Sequence, residues 1–189
     1  MSGMARRVPF VSLVAFAVLT VGCGVSEGGD VEVRAYAKAV CSGLLTWRQG
    51  VSADSTALST PLHARASEVA TVKGRYSQFF AGTVRRTEEL VRTVEKAGAP
   101  KVDNGLGYAR DLLAALGRTR SGLTEAQTRF ARLPIGDLRS YAAGAANIRD
   151  WLGTLFTEVG AALDRLGTTY TDTDLSEAFR DEPDCRSLA

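Results

Sequence analysis

Histidine is nearly absent from this chain: 189 residues contain one, His63. A lone imidazole cannot build a zinc site without cysteine or carboxylate ligands at suitable spacing, and no HExxH or CxxC occurs. Proline is scarce (5) and glycine ordinary (19), which excludes collagen-like and Pro-rich linker architectures. Excess charge is lacking too. Basic and acidic side chains number 23 and 21. Two of the basic ones, Arg6 and Arg7, lie in a leader, and the remainder is balanced. A neutral domain has no electrostatic reason to seek nucleic acid. Long hydrophobic runs are missing as well. The apolar stretch Val8 to Val21 is 14 residues long, too short to cross about 30 Å of hydrocarbon as a helix.

What is present begins with an address. Arg6 and Arg7 precede the apolar stretch, the order of an export signal. Leu19-Thr20-Val21-Gly22-Cys23-Gly24 closes it. This hexapeptide resembles the lipobox of bacterial lipoproteins, in which small residues lead to a cysteine that becomes the new N-terminus. That family prefers Leu three places before the cysteine; here the place holds Thr20, and Leu19 lies one earlier. The resemblance covers residues 1–24. It implies removal of residues 1–22, acylation of Cys23 and a position on the extracytoplasmic face of a cell membrane. Ordinary cleavage after Ala15-Phe16-Ala17 is the competing reading and gives a soluble secreted protein. Residues 23–30 then form the acylated terminus and a small, polar tether, and 31–189 form one domain.

Cysteine is the next scarce residue, at three. With Cys23 assigned to lipid, Cys41 and Cys185 remain, and outside the cytoplasm such a pair is expected to be oxidised. The alternative is two buried thiols. Closing so large a loop stabilises by about 5 kcal/mol in the chain-entropy model.

From residue 31 onward no segment alternates like a half-buried strand; the apolar period is helical. The first stripe runs Val33, Ala37, Val40, Leu44, Trp47 and Val51, with an interruption expected at Gly50 and Ser52–Ser59. The second opens at Thr60-Pro61, an N-cap followed by first-turn proline. It continues past Val69, Tyr76, Phe80 and Leu90 to a stop at Gly98 and Pro100, with a bend expected near Gly74 or Gly82. The third starts near Asn104 and ends before Pro134. The fourth starts at the cap Asp137 and is closed by Gly167. Asp174 and Glu177 look like the capping box of one further short helix. The fold expected is all-α: an up-down-up-down four-helix bundle with its C-terminal tail tied back to helix one by the disulfide. A lipobox leader, a helix-one cysteine, the Gly98-Ala99-Pro100 turn and a late cysteine together resemble small uncharacterised lipoproteins of actinobacteria. That likeness implies location and architecture, and no activity.

Chemistry-bearing patterns are thin. Gly105-Leu106-Gly107 lacks the third glycine of a dinucleotide loop, since position 110 is Arg, and reads as turn chemistry. Asp172, Asp174, Ser176 and Glu177 open like a calcium loop, but Glu177 stands where glycine is required and Pro183 where glutamate is. Glu88 and Arg92, four apart, read as a surface ion pair. Trp47 is expected in the core. Trp151 flanks the fourth stripe and is the candidate for an exposed binding aromatic. No catalytic residue, metal ligand or cofactor is assigned. The expected role is therefore a noncatalytic binding or scaffolding module of the envelope, tied to the membrane by its lipid and facing another envelope protein or polymer. The alternative is a carrier of a small molecule or lipid. The small residues Ala142, Ala143, Ala145, Ala146, Gly160, Ala161 and Ala162 would leave its cavity between helices, or else allow close helix contact.

Overall fold

A computed structural model describes residues 29–58 and 69–188. Four long helices carry the fold: α1 (Val33–Leu58), α2 (Val69–Ala97), α3 (Gly105–Ala131) and α4 (Leu138–Thr169). Two short ones follow, α5 (Thr173–Asp181) and α6 (Pro183–Arg186). Short turns at 98–104 and 132–137 force antiparallel neighbours. Accordingly α1 packs on α2, α2 on α3 and α3 on α4. The ring is closed by the tail rather than by α1 meeting α4, because α5 and α6 lie against α1. The all-α bundle expected from the periodicity is what forms. The leader, Cys23, His63 and the Thr60-Pro61 start of the second helix lie outside the described residues.

Local chemistry explains most boundaries. The Asp137 carboxylate accepts from the backbone N–H of Arg139 and Ser140 at 3.0 and 3.3 Å, starting α4 where expected. Asn104 holds φ at 58°, and Gly105 opens α3 against the Pro100 carbonyl, where a Cβ would overlap backbone. Gly105 is thus a close-approach residue, as the turn reading required.

Three boundaries differ from expectation. α1 runs through Gly50 and the Ser/Thr stretch to Leu58. Gly50 lies under the Arg86 side chain, and Arg86 Nε donates to Asp54 at 3.0 Å, so the last turns of α1 are held on α2 from outside. α4 passes Gly167 and ends at Thr169. Tyr170 stops it, donating its N–H to Leu166 O at 3.0 Å and its hydroxyl to Asp111 at 2.8 Å. α5 is capped by Asp172, two residues earlier than the capping-box pattern, through a 2.9 Å bond from Leu175 N.

The core comes in two parts. The first gathers Tyr36, Val40, Leu90, Val94, Leu112, Leu116, Leu166 and Leu175, with Tyr170 and Phe179 packed against it, both touching the Tyr108 ring of α3. The second gathers Val69, Val72, Phe80, Ala126, Phe130, Tyr141 and Ile148. Among the described residues it draws on α2, α3 and α4, with Leu133 of the turn after α3 packed against it. Between the two lies a waist of buried threonines, Thr83, Thr87 and Thr119. Thr87 Oγ1 donates to Thr83 O at 2.8 Å and accepts from the Trp47 indole N–H at 2.9 Å. Trp47 is therefore a core residue, as expected, with its one polar atom satisfied.

The Cys41–Cys185 disulfide joins residues 144 apart, with Cα atoms 5.0 Å from each other. Beside it the Ser42 hydroxyl meets Asp184, and the Arg48 guanidinium donates to the carbonyls of Ser187 and Leu188. At the same end the chain ahead of α1 is pinned to the α2–α3 turn. Gly29 N donates to Pro100 O, Val31 N to Ala99 O and Lys101 N to Val31 O, at 3.1, 3.0 and 2.7 Å.

Candidate functional site

The half of the bundle without α1 is where the site lies. Three helices can enclose a core, but among the described residues one side of that core has no fourth helix over it. The second cluster is open in this way between α2 and α4. The result is an apolar cleft of about 650 Å³, within the range of about 300–1,000 Å³ for small-ligand sites.

α2 supplies one wall, with Val72, Tyr76, Phe79 and Phe80. The spacing of four, three and one places all four on one side of the helix. Phe130 of α3 forms the base. Its ring lies 5.4 Å from both Tyr76 and Phe80 and 6.0 Å from Tyr141, in tilted and edge-on geometries that suit aromatic pairs. α4 supplies the other wall. Ala142, Ala145, Ala146 and Gly153 line it, and their lack of bulk leaves the space. A Cβ on Gly153 would meet nothing within 4 Å. Ile148 and Leu152 complete the apolar surface, and Phe156, 43% exposed, marks the far lip.

The polar complement is small and one-sided. Among the described residues, Tyr76, Tyr141 and Arg149 bring polar side-chain atoms to the cleft: two phenols, which donate and accept, and one guanidinium, which only donates. Among the described residues no Asp, Glu, His, Cys, Ser or Thr belongs to the lining. Tyr141 is 7% exposed, and its hydroxyl has no hydrogen-bond partner among the described residues. Burial, and after it the Tyr76 phenol, push the Tyr141 pKa up. Arg149 reaches Asp150 at 2.9 Å, an exposed neighbour pair that holds it weakly.

The residues singled out from sequence distribute as follows. Ala142, Ala145 and Ala146 line the cleft, so this part of the small-residue stripe gives space rather than tight contact. Ala162 is buried in the bundle. Trp151 packs beside the second core and is covered by Arg129, whose guanidinium carbon lies 4.7 Å from the ring centre. It is a stacked wall residue rather than an open binding aromatic. Around Glu88 the ion pair that forms is Arg86–Asp54, across two helices. In the tail, Asp172 and Glu182 cap α5 and α6, and Glu177 pairs with Arg180 at 3.5 Å. Among the described residues no three His, Cys, Asp or Glu side chains group to hold a metal.

Sequence reasoning placed Tyr76, Phe80 and Tyr141 on buried stripes and passed over Phe79, Arg149 and Phe156. A signal was there. Phe79-Phe80 are adjacent aromatics on one helix, and adjacent helical residues point about 100° apart, so the apolar face of α2 is wider than the single stripe through Tyr76 and Phe80. Phe156 follows the stripe residue Leu155 for the same reason. Compared with protein-family models, curated proteins and solved structures, the chain matches none.

Proposed function

We propose that this chain is a noncatalytic binding protein of a bacterial envelope that holds an apolar ligand in the α2–α4 cleft. Of the two roles open from sequence, scaffold and carrier, the cleft favours the carrier. Lipid on Cys23 and a place on the extracytoplasmic face remain part of the proposal. They rest on the leader residues Arg6 to Gly24, and two or three acyl chains would anchor stably at about 0.8 kcal/mol per methylene. The observation that carries the proposal is the 650 Å³ cleft itself, lined by apolar side chains from three helices, with Tyr76, Tyr141 and Arg149 as the polar points among the described residues.

Native mass spectrometry on protein released from its own membranes tests this. The expected spectrum shows residues 23–189 plus acyl chains less two hydrogens, with a noncovalent adduct of a few hundred daltons. Ala146→Phe, which plugs the cleft, should remove the adduct and leave the helical circular dichroism unchanged. A protein without adduct, or one whose adduct survives the plug, would return the assignment to the scaffold. An unlipidated mass would remove the anchor.

A further inference from the structure

We propose that the cleft takes a single-chain amphiphile with a carboxylate head, a long-chain fatty acid, with the head held by Tyr76, Tyr141 and Arg149 and the chain running toward Phe156. This rests on the carrier reading and sharpens it.

Shape selects the chain. Along α4 the lining runs from Tyr141 to Phe156, about 22 Å at 1.5 Å per residue. Spread over that length, 650 Å³ leaves a cross-section near 30 Å². An α-helix with its side chains is about 10–12 Å across, roughly three times that area, so a partner helix does not fit within the cleft. The volume equals about twenty water molecules at about 30 Å³ each. That accommodates one extended chain of roughly twenty heavy atoms.

Chemistry selects the head. All three polar side chains described at the cleft can donate, Arg149 carries the one charge among them, and no carboxylate lines it among the described residues. A ligand with a cationic head would meet no counter-charge and would face Arg149. A plain hydrocarbon would strip water from the Tyr141 hydroxyl and give it no partner, a cost that an accepting head removes. The Tyr141 phenol, protonated at neutral pH and pushed further toward that form by burial, offers its proton to a carboxylate, and hydrogen bonds to charged groups are the strong ones. Long helical side chains lean toward the N-terminus of their helix, so Arg149 leans along α4 toward the Tyr141 end.

The experiment uses the full chain in the membranes of its own host. Two photoreactive probes share a 16-carbon chain with a mid-chain diazirine; one ends in carboxylate, the other in trimethylammonium. Labelled peptides are identified by mass. The carboxylate probe should label the cleft peptides of α2 and α4 about tenfold more than the ammonium probe, and unlabelled hexadecanoate should compete. Tyr141→Phe, which keeps the ring, and Arg149→Gln, on an exposed position, should each bring carboxylate labelling down toward the ammonium level while leaving ammonium labelling as it was. Equal labelling of the cleft by both probes would overturn the head assignment and leave the carrier reading standing. Labelling by both probes everywhere except the cleft would overturn the two together.

Discussion

Gly105 and Gly117 both belong to α3 and respond oppositely to a methyl group. At Gly117 an added Cβ meets nothing within 4 Å, so Gly117→Ala should gain about 0.5–1 kcal/mol of helix stability. At Gly105 the Cβ would overlap the backbone of Pro100. Backbone cannot rotate away as a side chain can, so Gly105→Ala should cost about 3 kcal/mol. Thermal unfolding of the two variants should move the midpoint in opposite directions, and a shared direction would show that the turn relaxes. The buried tyrosines give a second residue-scale outcome. Burial pushes the Tyr108 phenol up to about 12, and Tyr36, wholly buried beside it, is pushed up further by desolvation first and Tyr108 second. Both lie above the ordinary value of 10.0. The folded state therefore holds its protons where the unfolded chain has lost them. The stability tied to these phenols is full below pH 10 and drains away as pH climbs through about 12. Ultraviolet titration should show these two tyrosinates only above that window or on unfolding. Ionisation of all five tyrosines near pH 10 would contradict the packing.

The tail is an element that works only when held. α5 buries Leu175 and Ala178, and Phe179 stands edge-on to Tyr36 at 6.3 Å, but nine residues make a marginal helix alone. The disulfide, the Ser42–Asp184 contact and Arg48 keep it against α1. Reduction, or Cys185→Ala, should cost about 2–5 kcal/mol, and for a chain of this size the melting midpoint should fall by about 10 °C. A midpoint unchanged by reductant would mean that α5 holds its place without the crosslink. Helix identity was legible in the sequence because stripes such as Leu138 to Leu166 repeat at fixed spacing and caps such as Asp137 are local. Two helix ends were not legible. Gly50 is a helix breaker by its own chemistry that a partner distant in sequence, Arg86, overrules, and Gly167 is passed by two residues before the Asp111-anchored Tyr170 caps α4. The cleft was half legible. Ala142, Ala145 and Ala146 signalled small volume, but whether small residues mean a gap or a close approach depends on what stands opposite. What decides it is that α1 adds nothing to the second core, a fact of tertiary arrangement that no local pattern encodes.

At the scale of the molecule, two cores on either side of a threonine waist should differ in persistence. The first is built from five helices and crosslinked; the second is built from three and open on one side. Hydrogen exchange should therefore be slower at Leu90, Val91 and Val94 than at Val72, Tyr76 and Phe80, although all six sit on α2. Equal protection would mean that the helix opens only as a whole. Occupancy of the cleft should slow the second group selectively, since a ligand protects what it touches. The pin between Gly29, Val31 and the α2–α3 turn carries a last implication, one of altitude. On the proposed anchor, residues 23–28 can extend about 20 Å at most, so the pinned turn would hover close above the bilayer. The cleft lies toward the opposite pole: Phe156 and Tyr141 are about 20 and 42 Å along α4 from its end at Thr169. A molecule held there would ride out of reach of the leaflet that holds the anchor and face the next layer of the envelope. Such a protein would act as a pier, delivering outward what it could not draw straight from the lipid beneath it.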